Sequence, residues 1–427
     1  MPTARGWLLG ATGFIVCAAG RIFGTGALEQ IGLALLVLVA IAVVVVRSSG
    51  HRLHVSRQAT PEHCRARQEV GVRLQVTNAG KGRAPLVLLE DRLPAELGLA
   101  ARFALDGVAP GTTRSTEYRV RPPRRGSYEL GPTQMSFLDP FSLARTRAQA
   151  QERTRILVHP AIEKLELPRD LGQSRSLSAS ALRRPAGARG DEFYTLREYS
   201  EGDDLRKVHW PSTARRSKYM IRQDETPWRN RVTIMFDDRA SSHEGFGDMS
   251  SFERTIEAAA SIVDLYHRSG YSYRLCSAGN PGLPLGRGTH HFHLAMDLLA
   301  MAETSGDEDA AARRLAELQG ESGDQATFVA VVARLRPELV GGLGLLSRSF
   351  AHMLAVIFPP HRFGSHPTKE RWTGESDTVA ATRLLARSGI RTIVLGPEDH
   401  LSLGWAALAR SSPKGGEGRW APRPEPA

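Results

Sequence analysis

Between Glu192 and Glu225 the sequence EFYTLREYSEGDDLRKVHWPSTARRSKYMIRQDE gathers acids, bases, a histidine, a tryptophan and tyrosines. Asp203, Asp204 and His209 are the combination that could act as acid and base. A hydrolase, however, needs a placed nucleophile or a metal cage, and one imidazole beside two acids with arginines in reach supplies neither. The residue types also fit a structural use. Gly202 permits a tight turn, and Asp203 or Asp204 can cap a short helix that Pro211 ends. Arg206, Arg215 and Arg216 are placed to pair with those acids, while Trp210 can anchor the element against a core or a partner. An ion-paired clasp and a partner-docking surface both account for the block. A second cluster, THHFH from Thr289 to His293, suggests zinc, but His291 and His293 stand two apart at a helix start and do not share a face. The chain contains no Gly-x-x-x-x-Gly-Lys-Ser loop, no Gly-x-Ser-x-Gly elbow and no Cys-x-x-Cys pair, so neither ATP binding nor serine hydrolysis is supported.

The elements that must position these residues change character along the chain. Two apolar runs, Gly6 to Gly20 and Ile31 to Val46, flank a glycine-rich connection and read as a membrane hairpin over residues 1–50. Each run is short of the roughly 20 residues needed to span, and neighbours from Phe23 to Leu28 can lengthen either helix. A secretory signal peptide followed by one anchor is the rival reading. Arg5 precedes the first run and Arg47, Arg52, Arg57, Arg65 and Arg67 come after the second, which places both ends, and the soluble domains, in the cytoplasm. A net charge of +11 then faces an anionic leaflet, with nucleic acid as the competing acceptor. Three dispersed cysteines, Cys17, Cys64 and Cys276, argue against a disulfide framework.

Over residues 51–165 the alternation has period two, as in EVGVRLQVTN, and predicts an antiparallel β-sandwich of about seven strands with Val70, Val72, Leu74 and Val76 inward. The turn DPFSL from Asp139 is expected to plug the core with Phe141. Residues 166–190 are rich in Ser, Arg, Gly and Pro and read as a linker, and residues 411–427 as a disordered tail. Residues 191–410 hold the motif block and then alternate strand and helix. Strands are predicted at Arg231–Asp238, at YSYRLCSAG, and at Thr327–Ala333, Met353–Phe358 and Arg391–Leu395. Helices are predicted at Ser250–Gly270, His293–Glu303, Asp307–Leu318 and Asp377–Ser388. That order implies a doubly wound parallel sheet, with ligands beyond the carboxyl ends of its strands.

The first strand end reads FDDRASS. It is similar to the metal-ion-dependent adhesion site of von Willebrand factor A domains, in which an Asp and two Ser in the frame Asp-x-Ser-x-Ser hold Mg²⁺. The frame here falls on Asp237, Arg239 and Ser241. The resemblance makes Asp237 and Ser241 the candidate Mg²⁺ ligands, but Arg239 offers no acceptor and repels a cation. The competing reading is that Asp237 and Asp238 end the strand and cap the next segment. The motif block as a whole, with Arg197, Tyr199, Gly202, Asp203, Asp204, Arg206, Trp210, Ala214 and Arg215, resembles the bacterial family called domain of unknown function 58. RRGSYELGP from Arg124 and the two apolar runs add to the likeness. The resemblance implies a membrane helical hairpin, an antiparallel β-sandwich and an α/β doubly wound von Willebrand A-like domain, commonly paired with a MoxR-type AAA+ ATPase. The expectation is a non-enzymatic scaffold or adaptor at the cell membrane that needs no cofactor. A divalent-metal-dependent hydrolase and a nucleic-acid binder acting through the arginine-rich linker are the alternatives.

Overall fold

The computed structural model describes residues 1–49, 53–61, 63–84, 86–168, 194–198, 208, 210–216, 218–224, 231–319, 326–364 and 368–410. Of the linker expected over 166–190, residues 169–190 lie outside them, as does the tail expected from 411. Two units result, Met1–Pro160 and Ala161–Ala427, with mixed α/β content rich in sheet.

The first unit begins with a helical hairpin, α1 (Ala4–Ile22) and α2 (Gly26–Ser49). Thr3 caps α1 by accepting from the Gly6 amide. Glycines let the helices approach: a Cβ at Gly32 would meet the Cys17 nitrogen at 2.4 Å, and one at Gly20 would meet the Glu29 nitrogen at 2.4 Å. Among the described residues one helix is long and apolar enough to cross a membrane, Gly26–Arg47, of mean hydropathy 2.6.

Strands β1 (Leu53–Thr60), β2 (His63–Arg65), β3 (Val70–Asn78), β4 (Leu86–Asp91) and β5 (Ala101–Leu105) come next. After them are β6 (Thr113–Val120), β7 (Gly126–Leu130), β8 (Thr133–Leu138), β9 (Arg145–Ala150) and β10 (Thr154–His159). They pair in the orders β1-β3-β6, β2-β10-β7 and β5-β4-β8-β9, antiparallel except for β2 with β10. As the alternation requires, Val70, Val72, Leu74 and Val76 are fully buried, while Arg73 turns outward to pair with Glu117 across the β3–β6 ladder. The core joins Leu74, Val87, Met135 and Phe137 with Ala42 and Val46 of α2, so the last turns of that helix belong to the core of the sheets.

The DPFSL turn departs from expectation. Phe141 does not plug the core; it stands 65% exposed. The buried Asp139 carboxylate accepts from the Phe141 amide at 3.0 Å and the Ala144 amide at 2.6 Å, which closes the turn around the acid and points Phe141 outward. Leu143 and Ala144 take the core positions instead.

The sheets are tied by a buried ion pair. Arg57 of β1 meets Asp91, at the end of β4, through Nε at 3.1 Å and Nη2 at 2.5 Å, and its other donors reach the Leu130 carbonyl and the Thr133 and Thr154 hydroxyls. Asp91 also accepts from the Thr133 and Tyr118 hydroxyls. Burial and the Asp91 carboxylate push the Tyr118 phenol well above its ordinary range.

In the second unit, β11 (Tyr194–Glu198) pairs antiparallel with β12 (Met220–Asp224), with α3 (Trp210–Arg216) between them in the chain. The main sheet contains β13 (Arg231–Phe236), β14 (Ser272–Ser277), β15 (Leu283–Gly286), β16 (Thr327–Val332), β17 (His352–Ile357) and β18 (Arg391–Val394). Its order is β15-β14-β13-β16-β17-β18, parallel apart from the edge strand β15. Alternate residues serve opposite faces. Ile234, Phe236, Val329 and Val331 pack with α4 (Ser251–Arg268), α5 (Thr289–Met301) and α9 (Leu401–Arg410). Met235, Phe328, Ala330 and Val332 pack with α6 (Ala310–Gln319), α7 (Pro337–Leu346) and α8 (Thr368–Arg387). Leu165 lies in the first of these cores and the Trp405 indole donates to the Glu166 carbonyl, which is why the division falls at Pro160 and not at 165.

The Arg57 network supplies a test. Asp91→Ala strands a buried guanidinium, and full-length protein in detergent is expected to lose about 3–5 kcal/mol in urea denaturation of the first unit. Glu117→Ala, which removes an exposed pair, is expected to cost about 1 kcal/mol or less.

Candidate functional site

Strand β13 ends where the order reverses, with β14 on one side and β16 on the other, which in an open parallel sheet is the place for a ligand. Two consecutive acids arrive there, and both are buried. The Asp237 amide donates to the Val331 carbonyl of the neighbouring strand. The Asp237 side chain is gripped by Arg239: Nε to Oδ1 and Nη2 to Oδ2 are both 2.9 Å, and the Arg239 amide donates to Oδ1 at 3.2 Å. The two side chains are 3% and 1% exposed, so this bidentate pair is closed to water. Burial alone would lower the Arg239 pKa; the Asp237 carboxylate, with Glu308 and Asp238, outweighs it and holds the guanidinium above its usual value.

Asp238 is equally occupied. Its Oδ2 accepts from the Ser277 hydroxyl at 2.5 Å, its Oδ1 accepts from the Gly279 amide at 2.9 Å, and its carbonyl accepts from the Ser305 amide. The acids therefore end the strand and fix the loops after β14 and α5. Ser241 accepts from Arg336 Nη2 at 3.1 Å, and Arg336 is also paired with Glu308. Each of the two candidate Mg²⁺ ligands, Asp237 and Ser241, is thus engaged by a guanidinium. In the sequence frame Arg239 is a gap in a metal site, whereas the structure makes it the internal counter-ion of Asp237.

The loop from β13 to α4 is closed by side chains that the sequence pattern does not single out. His243 sits between the Asp237 carbonyl, to which Nε2 donates at 2.8 Å, and the Ser251 hydroxyl, 3.2 Å from Nδ1. Because a carbonyl only accepts, this fixes the Nε2–H tautomer. Burial keeps the imidazole below its ordinary pKa of 6.5 against the opposing field of Asp237. Ser251 Oγ also accepts from the Glu244 amide, and the Ser251 amide donates to the Glu244 carbonyl, pinching the base of the loop. At its tip, between Gly245 and Gly247 with φ of +92° and +64°, Phe246 is 96% exposed. The sequence does carry a signal for it: an aromatic residue between two glycines, just after a strand of a parallel sheet.

Of the motif block, Arg197 lies on β11 opposite Ile221, and Trp210 and Arg215 lie on α3. Tyr199, Gly202, Asp203, Asp204, Arg206 and His209, and with them the expected clasp of acids and arginines, lie outside the described residues. Among the described residues Trp210 is not packed on a core. It is 66% exposed, while Val208 and Met220 are the buried residues there. His290, His291 and His293 begin α5, and His291 Nε2 is spent on the Tyr273 carbonyl at 2.9 Å.

Residues 195–345 match the family model described as "Protein of unknown function DUF58", which is the family that the motif block resembles. The "Uncharacterized protein YeaD" of Bacillus subtilis (strain 168) is 28% identical over 148 residues, 34% of this chain and 35% of that protein. The chain therefore spans about a third of that relative's length. Among solved structures, the CARDB domain of a Pyrococcus furiosus protein in complex with di-metal ions is 12% identical, covers 26% of this chain and 94% of that one, and has a TM-score of 0.20. The complex of Zinc 2-glycoprotein and Prolactin inducible protein from human seminal plasma is 10% identical, covering 26% of this chain and 97% of that one, with a TM-score of 0.20. Likenesses at that level carry no argument about this chain.

The geometry makes two predictions. Arg239→Ser leaves Asp237 without its counter-ion, so the variant is expected to melt earlier in chelator and to regain stability as Mg²⁺ is added, while the melting of the parent chain stays the same in both media. A variant indifferent to Mg²⁺ would show that the frame cannot accept a cation even when vacated. The second prediction concerns pH. His243 has a folded pKa below its unfolded one, so below about pH 6.5 the unfolded chain binds the extra proton and stability falls with pH, the contribution being intact above that value. His267, also lowered by burial, acts in the same window. The difference between parent and His243→Gln isolates His243, and chemical denaturation from pH 7.5 downward should show a flatter profile for the variant.

Proposed function

We propose that this chain, which carries a DUF58 segment, is a membrane-anchored scaffold that binds another protein through the rim of its parallel sheet and does no chemistry of its own. The observation that carries the reading is Phe246. An aromatic side chain held at full exposure by a pinched loop, at the edge where open parallel sheets receive ligands, has the form of an interface anchor. Charges of both signs lie on the same loop or bind to it: Glu244, two residues before Phe246, pairs with Arg334, and Arg336, which holds Ser241, pairs with Glu308. Such a rim favours orientation of a partner over catalysis. Exposed Trp210, within the family motif, is a second apolar element left for a partner.

On this reading the second unit is a von Willebrand A-like domain whose ion has been replaced by Arg239, the three sheets of the first unit form a β-sandwich, and the hairpin spans the cell membrane with the sheets and the second unit on the cytoplasmic side. The exposed arginines Arg47 and Arg65 after the second apolar run support that orientation; Arg57 is spent inside the sheets. The family resemblance makes a MoxR-type AAA+ ATPase the first partner to try. The hydrolase reading would require Asp237 and Ser241 to leave their arginines, and the nucleic-acid reading falls on linker residues outside those described.

Binding of the purified MoxR-type ATPase from the same organism to full-length protein in nanodiscs tests the proposal. Phe246→Ala is expected to weaken it by about thirtyfold or more, the scale of an interface anchor. Leu99→Ala, equally exposed but in the first unit, is expected to leave it unchanged. Equal affinity for parent and Phe246→Ala would remove the rim as the docking site.

A further inference from the structure

The exposed Phe141 turn is not free to move away from the hairpin. The Thr3 amide donates to the Leu143 carbonyl at 2.8 Å, the Thr3 hydroxyl to the Ser142 carbonyl at 2.6 Å, and the Arg145 amide to the Met1 carbonyl at 2.8 Å. Pro2 and Ala144 form a β-bridge, and Gly6 lies so close that a Cβ there would overlap the Leu143 carbonyl. The turn is therefore clamped to the first residues of α1, at the end of the hairpin where α2 finishes. Asp139 locks its shape, with Ser142 at φ +57°, so Phe141 is presented outward by a rigid device.

Lengths say what lies at that level. The apolar stretch Gly26–Arg47 has 22 residues, about 33 Å of helix. Ala42 and Val46 of that stretch lie in the core of the sheets with Leu38, Val39 and Val43 packed against that core, which occupies its last 15 Å or so. The undocked part, Gly26 to Val37, is about 18 Å long, well short of a hydrocarbon core of about 30 Å. Yet the opposite face of the docked stretch still exposes Ile41, Val44 and Val45, and α1 exposes Trp7 and Leu8. For the hairpin to bury its whole apolar surface in lipid, the part of the β-unit docked on it must be drawn down to the membrane, with the Phe141 turn at the acyl–headgroup boundary.

We propose that the Asp139–Ala144 turn is a lipid-contacting anchor, Phe141 entering the interfacial layer of the bilayer and holding the first unit flush against it. The proposal rests on the hairpin being inserted in a membrane. Aromatic rings are stable in that layer, and the apolar surface of Phe141 is continuous in level with that of the hairpin base. Arg5 and Arg47, on the first turn of α1 and the last of α2, are placed for anionic headgroups at the same level.

The test uses full-length Cys17→Ala protein, whose remaining cysteines Cys64 and Cys276 are buried. A solvatochromic label is attached in turn at Phe141→Cys, at Ile15→Cys midway along α1, and at Glu69→Cys, beside the end of β3 farthest from the hairpin. Each is reconstituted in vesicles of phosphatidylethanolamine and phosphatidylglycerol containing brominated lipid. The expected result is blue-shifted emission at Ile15 and Phe141, lost to bromolipid at both and, at Phe141, lost more to shallow than to deep bromines; the Glu69 label is lost to aqueous iodide. Lipid quenching at Ile15 with iodide quenching at Phe141 would overturn the anchor and leave the membrane hairpin standing. Iodide quenching at both would overturn both. A Phe141 label shielded from iodide and bromolipid alike would assign the turn to a protein partner and overturn the proposal.

Discussion

A guanidinium does not give up its proton, so an arginine taken out of water must bring a carboxylate and a nearly complete set of acceptors with it. Both units are organised around that demand. Arg57 collects a carboxylate, a carbonyl and two hydroxyls from strands of different sheets, and Arg239 closes a two-toothed grip on Asp237 at the end of the first strand of the main sheet. In each case the pairing is unforgiving, since either partner left alone would be a buried charge. Register is a consequence: β1 must stand where Arg57 can reach Asp91, and β13 must stop where Arg239 can turn back.

The second of these pairs determines what the sheet edge can be. With Asp237 tied to Arg239, Asp238 to Ser277 and the Gly279 amide, and Ser241 to Arg336, the oxygens at the switch point face protein donors. The order they impose passes outward through His243 and Ser251 to the closed base of the loop. Beyond that base the exposed Phe246 and the paired charges of Glu244 with Arg334 and Glu308 with Arg336 remain at the rim.

Much of the fold is legible because burial writes a period into sequence. Val70, Val72, Leu74 and Val76 alternate with polar residues since one face of β3 is wet, and the continuous apolar runs of β13, β16 and β17 reflect helices on both faces. Helix α7 escapes a reading of the sequence because Gly341, Gly342 and Gly344 mask its pattern, and β15 because four residues carry no period. The pairing of Arg57 with Asp91, 34 residues away, has no local trace. Arg239 is visible but misleading: as a member of a metal frame it is a defect, and only the bidentate geometry shows it as the cation the site contains. Phe141 reads as inward because it is large and apolar, whereas an Asx-locked turn points it out.

The docking of α2 into the β core makes the hairpin part of the first unit's packing. Ala42 and Val46 fill space among Leu74, Val87, Met135 and Phe137, while the other side of the same helix is apolar and exposed. A fragment cut after Ser49 to obtain soluble material would open a groove in the very core it was meant to isolate, and the sheets would be expected to aggregate through it. For this chain the boundary between apolar hairpin and domain is a boundary in sequence only; physically the last turns of α2 are domain.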